Sequence, residues 1–484
     1  MSLKKQAAKG GLWLSITRTG ISVIDFLVFV YLARILSLED FGLVAFCMLF
    51  IEFANVSINA GVNQNIVQRK TWDEQYASST MVYVVGLAFL VASGLVFIGA
   101  PIAYFTYSHI AAFVFMSLAP ITILLSLQVV FNGKLVRDFK NKQMGYAKLI
   151  ASILSAIVII TLAELEYGLW SLVVGRLVLA SLELVFFSLI AEFRPKFYFN
   201  KEDKKELREF CLPLLGAAVL SMVNQKCVSL FTGLVLGPAN FALLNAAKRG
   251  ETMINQITMG SINSMVVPAF SRVEEGTNLG DLYIKLVVIT ATIVMPMFMG
   301  LAAIADPFVT IIFGEKFSDS AVFMSISAFV MFPAIIGWFL PTLLVSQGKT
   351  ADAFKLTIIS VTNSVIVAGC TIWFGITTML IGIVVSNFLV LPMRFKIVKK
   401  HVSIDIKKLA FCILPSYLCA LAMFVCIMFF KNILEPVIAN QVILLILLIL
   451  IGCVSYPAFG FMFFYKHTNE QLRVAKGMFL KNKK

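Results

Sequence analysis

Long apolar runs recur along this chain near residues 11–35, 41–66, 80–104, 110–132, 146–163, 168–191, 210–236, 240–267, 283–305, 320–346, 354–374, 377–398, 409–430 and 438–465. Each can carry a helix across about 30 Å of hydrocarbon. Lipid offers backbone groups no partners, so a spanning segment must be a helix or part of a closed barrel. None of the runs shows the short apolar and polar alternation of barrel strands. The expected fold is therefore an all-α membrane protein of fourteen transmembrane helices, give or take one or two. Composition agrees, because 60% of the 484 residues are hydrophobic and 14% charged, against roughly 45 to 50% and 25% in soluble domains.

Basic residues collect in the short loops on the cytoplasmic side of a membrane. Assigning the N-terminus, every second loop and the tail to one side gathers 32 of the 40 Lys and Arg residues there, and only Arg34, Lys316 and Lys431 fall on the other. Both termini are thus expected in the cytoplasm, and the net charge of +14 needs no nucleic-acid partner. Lys4, Lys5 and Lys9 precede a full-length apolar run without a small-residue cleavage site, so that run reads as a first spanning helix. The eight cysteines lie in or at the ends of runs without a CxxC, and Cys412, Cys419 and Cys426 repeat along one helix face as small packing residues. His109, His401 and His467 lie in loops or the tail, so no histidine metal cluster and no resident cofactor is expected.

Sliding the chain against itself by 200 residues pairs Leu36 with Leu236, Phe41 with Phe241, Asn55 with Asn255 and Asn63 with Asn263. If each copy holds six spans and both start on one side, the lobes are parallel repeats about a pseudo-two-fold along the membrane normal. The expected organisation is an N-lobe at 1–193, a charged cytoplasmic linker at 194–209 and a C-lobe at 210–398. A basic loop with two extra helices at 399–465 and a basic tail at 466–484 follow. Nine prolines fall within runs, seven of them beyond residue 210, so bending is expected mainly in the second half.

Arg18, Arg176, Lys226, Lys248 and Arg249 lie inside apolar runs. A cation at bilayer depth costs roughly 2.5 to 3.5 kcal/mol on insertion scales and is normally kept for a pathway or an anionic partner. In the second run Glu52, Asn55, Asn59 and Asn63 share one narrow helical face, and in the eighth Asn245, Arg249, Thr252, Gln256 and Asn263 do the same, with Lys248 and Asn255 beside them. Arg18 with Asp25, and Arg176 with Glu183, repeat at a spacing of seven. One reading is a water-filled cavity between the lobes, where amides meet sugar hydroxyls and Lys and Arg meet a diphosphate. The other is interhelical glue, which suits Arg176 and Glu183 best, as an ion pair. The first reading makes Arg18, Lys226, Lys248, Arg249, Asn55, Asn59, Asn63, Asn245 and Gln256 the substrate-binding set. Asp25, Glu52 and Glu251 are then the candidates for Na+ or H+ coupling.

The stretch ARILSLEDFGLVAF, from Ala33 to Phe46, with the Asn-rich second run ending at VQRK, resembles the start of the Wzx-type flippases, nearest the colanic and teichuronic acid subgroup. Length and two-lobe organisation are similar over nearly the whole chain, placing it in the superfamily shared with lipid II flippases and multidrug exporters. The resemblance implies alternating access for undecaprenyl-diphosphate-linked oligosaccharides in a bacterial cytoplasmic membrane, with a lipid-tail groove involving the last two helices. Polysaccharide polymerase or export proteins would be its partners. A cation- or proton-coupled multidrug exporter is the alternative, argued against by the basic second-lobe wall. An enzyme is not expected: the longest external segment, Asp306–Ser320, is short, and no nucleophile, metal cluster or phosphate loop is present.

Overall fold

The computed structural model describes residues 3–271 and 278–480; side chains at 3–12 and 14–16, at several positions between 257 and 271, and beyond 464 lie outside the description. Among the described residues the chain is helical without a strand. The first helices are α1 (Leu3–Ile35), α2 (Leu38–Asn59), α3 (Val62–Gln68), α4 (Glu74–Gly94), α5 (Ala100–Thr106) and α6 (His109–Leu118). Then come α7 (Pro120–Arg137), α8 (Asn141–Glu164), α9 (Leu169–Ile190), α10 (Lys201–Phe231), α11 (Gly237–Ser271), α12 (Leu279–Phe313) and α13 (Ser320–Ala328). The last are α14 (Met331–Trp338), α15 (Leu340–Ser346), α16 (Thr350–Thr371), α17 (Ile376–Val398), α18 (Ile406–Leu434) and α19 (Gln441–Leu480).

The breaks have local causes. Between α1 and α2, Ser37 caps the new helix, its Oγ accepting from Asp40 N at 3.1 Å, and Glu39 and Asp40 place negative charge at the helix N-terminus. Pro120 starts α7 and Pro341 sits in the first turn of α15, where a missing N–H is tolerated. Gly61 (φ +83) separates α2 from α3, and Gly237 (φ +84) opens α11, both in the left-handed region.

Among the described residues, eleven helical segments can by length and composition cross a membrane, or twelve if the pair Ser320–Ala328 and Met331–Ser346, bent by 41°, is one span. The expected fourteen is higher for identifiable reasons. The segment Lys201–Gln256 counts once although its 56 residues would reach about 84 Å as one rod, far beyond a bilayer, and Gly237 breaks it. Helix α1 is outside the count: it carries Arg18, Asp25 and Arg34, and the side chains at its start lie outside the description. The external segment expected at Asp306–Ser320 is shorter, because α12 runs on through Pro307 to Phe313.

The chain divides into two compact units, one of Met1–Lys226 with Leu236–Ala242 and one of Cys227–Val235 with Leu243–Lys484. In the first, α8 packs on α1 and α9, and α7 packs on α2, α3, α4 and α9. Its core includes Ile58, Val62, Met81, Val84, Phe131 and Phe187. In the second, α12 is the central rod against α13, α18 and α19, with Tyr283, Met295, Phe298, Phe339 and Leu343 buried along it. Pro296 cannot donate to Thr292 O four residues earlier. Tyr456 of α19 supplies the missing donor at 2.9 Å, so the proline kink is satisfied from a neighbouring helix.

Candidate functional site

In the first unit, Glu52 near the middle of the α2–α3 run meets Lys226 of α10, with Nζ 2.8 Å from Oε2. Both side chains are partly exposed, at 47% and 38%. One turn further along α2, Asn55 Oδ1 accepts from Asn59 Nδ2 at 2.5 Å, and that same nitrogen lies 3.3 Å from Ser126 Oγ on α7. Asn63 Nδ2 reaches Asn132 Oδ1, also on α7, at 3.4 Å. The expected single straight stripe does not persist, because Gly61 ends the helix and Asn63 belongs to α3. Asn59 and Asn63 instead tie α2 and α3 to α7, while Glu52, Lys226 and Asn55 form the more open polar group. Asn59 Oδ1 is buried with no hydrogen-bond partner among the described residues.

Arg18 and Asp25 are both exposed on α1, and neither forms an ion pair among the described residues. Seven residues along a helix amount to a rise of about 10.5 Å, so sharing a face does not bring such side chains together. The same distance defeats the expected pair of Arg176 and Glu183 on α9. Glu183 has Lys148 of α8 and Asp25 of α1 as its charged neighbours.

In the second unit α11 carries the remaining candidates. Lys248 Nζ donates to Ser229 Oγ at 3.1 Å, and the partly buried Glu251 carboxylate accepts from the Ser327 hydroxyl of α13. Asn245 and Arg249 are half-buried, Thr252 and Gln256 exposed. Asn255 Oδ1 is buried with no hydrogen-bond partner among the described residues. The side chain of Asn263 lies outside the described residues. Among the described residues no group of three His, Cys, Asp or Glu could hold a metal ion.

Ser126, Asn132, Ser229 and Ser327 were not singled out in the sequence. Asn132, which with Gln128 supplies the amides of the apolar fourth run, was the one with a usable signal; isolated serines inside spans are too ordinary to stand out. The second unit also holds an apolar cleft of about 420 Å³ bounded by α12, α18 and α19, with Met297, Ile304, Met423, Leu448 and Tyr456 in its wall.

A family profile described as polysaccharide biosynthesis protein matches residues 31–323. The succinoglycan biosynthesis transport protein ExoT of Rhizobium meliloti is 24% identical over 310 residues, 63% of this chain and 62% of that protein, so the match spans less than two thirds of that relative. The lipopolysaccharide biosynthesis protein WzxC of Escherichia coli is 22% identical over 370 residues, covering 74% of this chain and 73% of its own length. Among solved structures, the lipid II flippase MurJ in an inward closed conformation superposes with a TM-score of 0.76 at 16% identity, covering 94% of this chain and 99% of that one. At that identity the likeness is one of fold.

Proposed function

Since the chain belongs to the polysaccharide biosynthesis protein family, we propose that it is a flippase carrying undecaprenyl-diphosphate-linked oligosaccharide repeat units from the cytoplasmic to the outer leaflet by alternating access. The relative ExoT is named a transport protein, and the proposed activity is transport, not catalysis. The proposed setting is a bacterial cytoplasmic membrane with both termini in the cytoplasm. Polymerase or export proteins of the same polysaccharide would be its partners.

The observation that carries the reading is the half-exposed Lys226–Glu52 pair in the middle of apolar spans. A pair this accessible stabilises a fold by about 0 to 1 kcal/mol, less than the roughly 2.5 to 3.5 kcal/mol that one intramembrane cation costs. Stability therefore does not account for it, whereas a phosphate competing with Glu52 for the ammonium does. In this proposal the phosphate-facing cations are Lys226, helped by Arg18, in the first unit and Arg249, helped by Lys248, in the second. Asn55 in the first unit and Asn245 and Gln256 in the second then meet the sugars, while Asn59 and Asn63 hold α2 and α3 to α7. The apolar cleft along α18 and α19 suits a polyprenyl chain.

Glu251 is the coupling group in this reading, because its carboxylate is partly buried and accepts from the Ser327 hydroxyl; Glu52 is already neutralised by Lys226, and Asp25 stands beside Glu183. The same neutralisation removes Glu52 from the three carboxylates, Asp25, Glu52 and Glu251, that the multidrug-exporter alternative would use as its cation or proton site. Combining Lys226→Ala with Arg249→Ala should abolish transport of the lipid-linked glycan while the protein still folds; unchanged transport overturns the assignment.

A further inference from the structure

The first unit carries a second cleft, of about 430 Å³, between the start of α8 and the end of α9, which the transport reading does not use. Lys140, Gln143 and Glu192 line its polar end, and Ile150, Phe186 and Leu189 its apolar part. The polar end is firmly built. Lys140 Nζ donates to Ile190 O at 3.0 Å, the last carbonyl of α9, and to Glu192 Oε1 at 2.9 Å. Phe139 (φ 55) and Glu192 (φ 51) both adopt the left-handed conformation that closes a helix, and Lys140 ties those two closures together. Glu192 is 79% exposed, and the hydrogen bond from Lys140 holds its carboxyl below the usual range, so it stays charged at neutral pH.

A second cation stands beside Tyr146, in the wall of the cleft. Lys142 Nζ lies 5.7 Å from the ring centroid of Tyr146, which also lines the cleft, and 5.2 Å from that of Trp13. The two rings pack at 5.2 Å, fixing the ammonium by cation–π contact. Among the described residues Lys142 has no carboxylate partner. The apolar cleft thus has at its polar end a carboxylate whose Oε1 is held by Lys140, and beside its Tyr146 wall the Lys142 ammonium.

We propose that this cleft is a binding site for a zwitterionic phosphoglyceride bearing a primary amine. Its phosphate accepts from Lys142 and the Gln143 amide, its ammonium donates to Glu192 Oε2, and an acyl chain lies along Ile150, Phe186 and Leu189. A quaternary headgroup has no N–H to donate to Glu192. A glycerol headgroup brings no cation to donate to Glu192 Oε2. The site does not depend on what the protein transports.

Native mass spectrometry of the purified full-length protein, titrated with phosphatidylethanolamine, phosphatidylcholine and phosphatidylglycerol of identical acyl chains, tests the proposal. The ethanolamine lipid should be retained at least fivefold better than either of the others. Glu192→Gln, which keeps an acceptor for Lys140, should reduce it to the choline level. Ile150→Trp should lower retention of all three lipids by filling the cleft, with Leu189→Trp as the second filling variant should Ile150→Trp fail to fold. Equal or better retention of the glycerol or choline lipid overturns the proposal, as does an unchanged preference in Glu192→Gln.

Discussion

Replacing Lys226 by Ala separates a transport role for its ion pair from a structural one. Lys226 and Glu52 are both more than a third exposed, so their attraction is screened and the pair contributes about 0.2 to 1 kcal/mol to folding. At 1.36 kcal/mol per tenfold this is at most about a fivefold change in the folding equilibrium. The abandoned Glu52 keeps its water and pays little for losing its partner. A hydrogen bond from the same ammonium to a substrate phosphate contributes about 1.5 to 3 kcal/mol, or roughly 10- to 150-fold in transport at low substrate. Lys226→Ala should therefore leave thermal unfolding in detergent nearly unchanged while its initial rate on lipid-linked oligosaccharide in proteoliposomes falls at least tenfold. Glu52→Gln, which frees the ammonium, should bind substrate more tightly than the unaltered protein. The reasoning fails if Lys226→Ala transports normally, or if it unfolds well below the unaltered protein and thereby shows the pair to be structural.

Two further predictions concern packing and coupling. A Cβ at Gly42 would stand 1.8 Å from Pro238 O, a backbone atom, whereas one at Gly86 would meet nothing within 4 Å; Gly42→Ala should destabilise by about 1 to 3 kcal/mol and Gly86→Ala should be neutral or mildly stabilising, both read from thermal unfolding. Glu251→Gln keeps an acceptor for Ser327 but removes the charge, so transport should lose its dependence on an imposed proton or sodium gradient, and a full gradient response in this variant would exclude Glu251 from coupling.

The helical membrane fold was legible because lipid imposes a length and an apolarity that any reading of hydropathy detects. The break at Gly237 was legible too, since the runs 210–236 and 240–267 part there. The break at Gly61 was not, because it redirects the chain through one backbone angle and leaves the hydropathy of the run 41–66 untouched. The motif from Ala33 to Phe46 is explained by its corner: Ser37 caps α2, Phe41 packs edge-on against Phe29 with ring centroids 4.8 Å apart, and Gly42 admits the Pro238 carbonyl. Side-chain partners were less accessible to the sequence. Helical periodicity places Glu52, Asn55 and Asn59 on one face, but only tertiary packing decides that Lys226 faces the first of them and α7 the last. The spacing of Arg176 and Glu183 misled for the opposite reason, since residues on one face two turns apart are aligned without touching.

The central claim is that this chain moves lipid-linked oligosaccharide between leaflets, and leaflet-resolved assay of undecaprenyl-diphosphate-linked repeat units in cells lacking the gene tests it most directly. The units should accumulate on the cytoplasmic leaflet and return to the outer one when the unaltered gene is restored but not when the Lys226→Ala, Arg249→Ala form is supplied. An unchanged distribution of the units between the two leaflets on deletion would contradict the account.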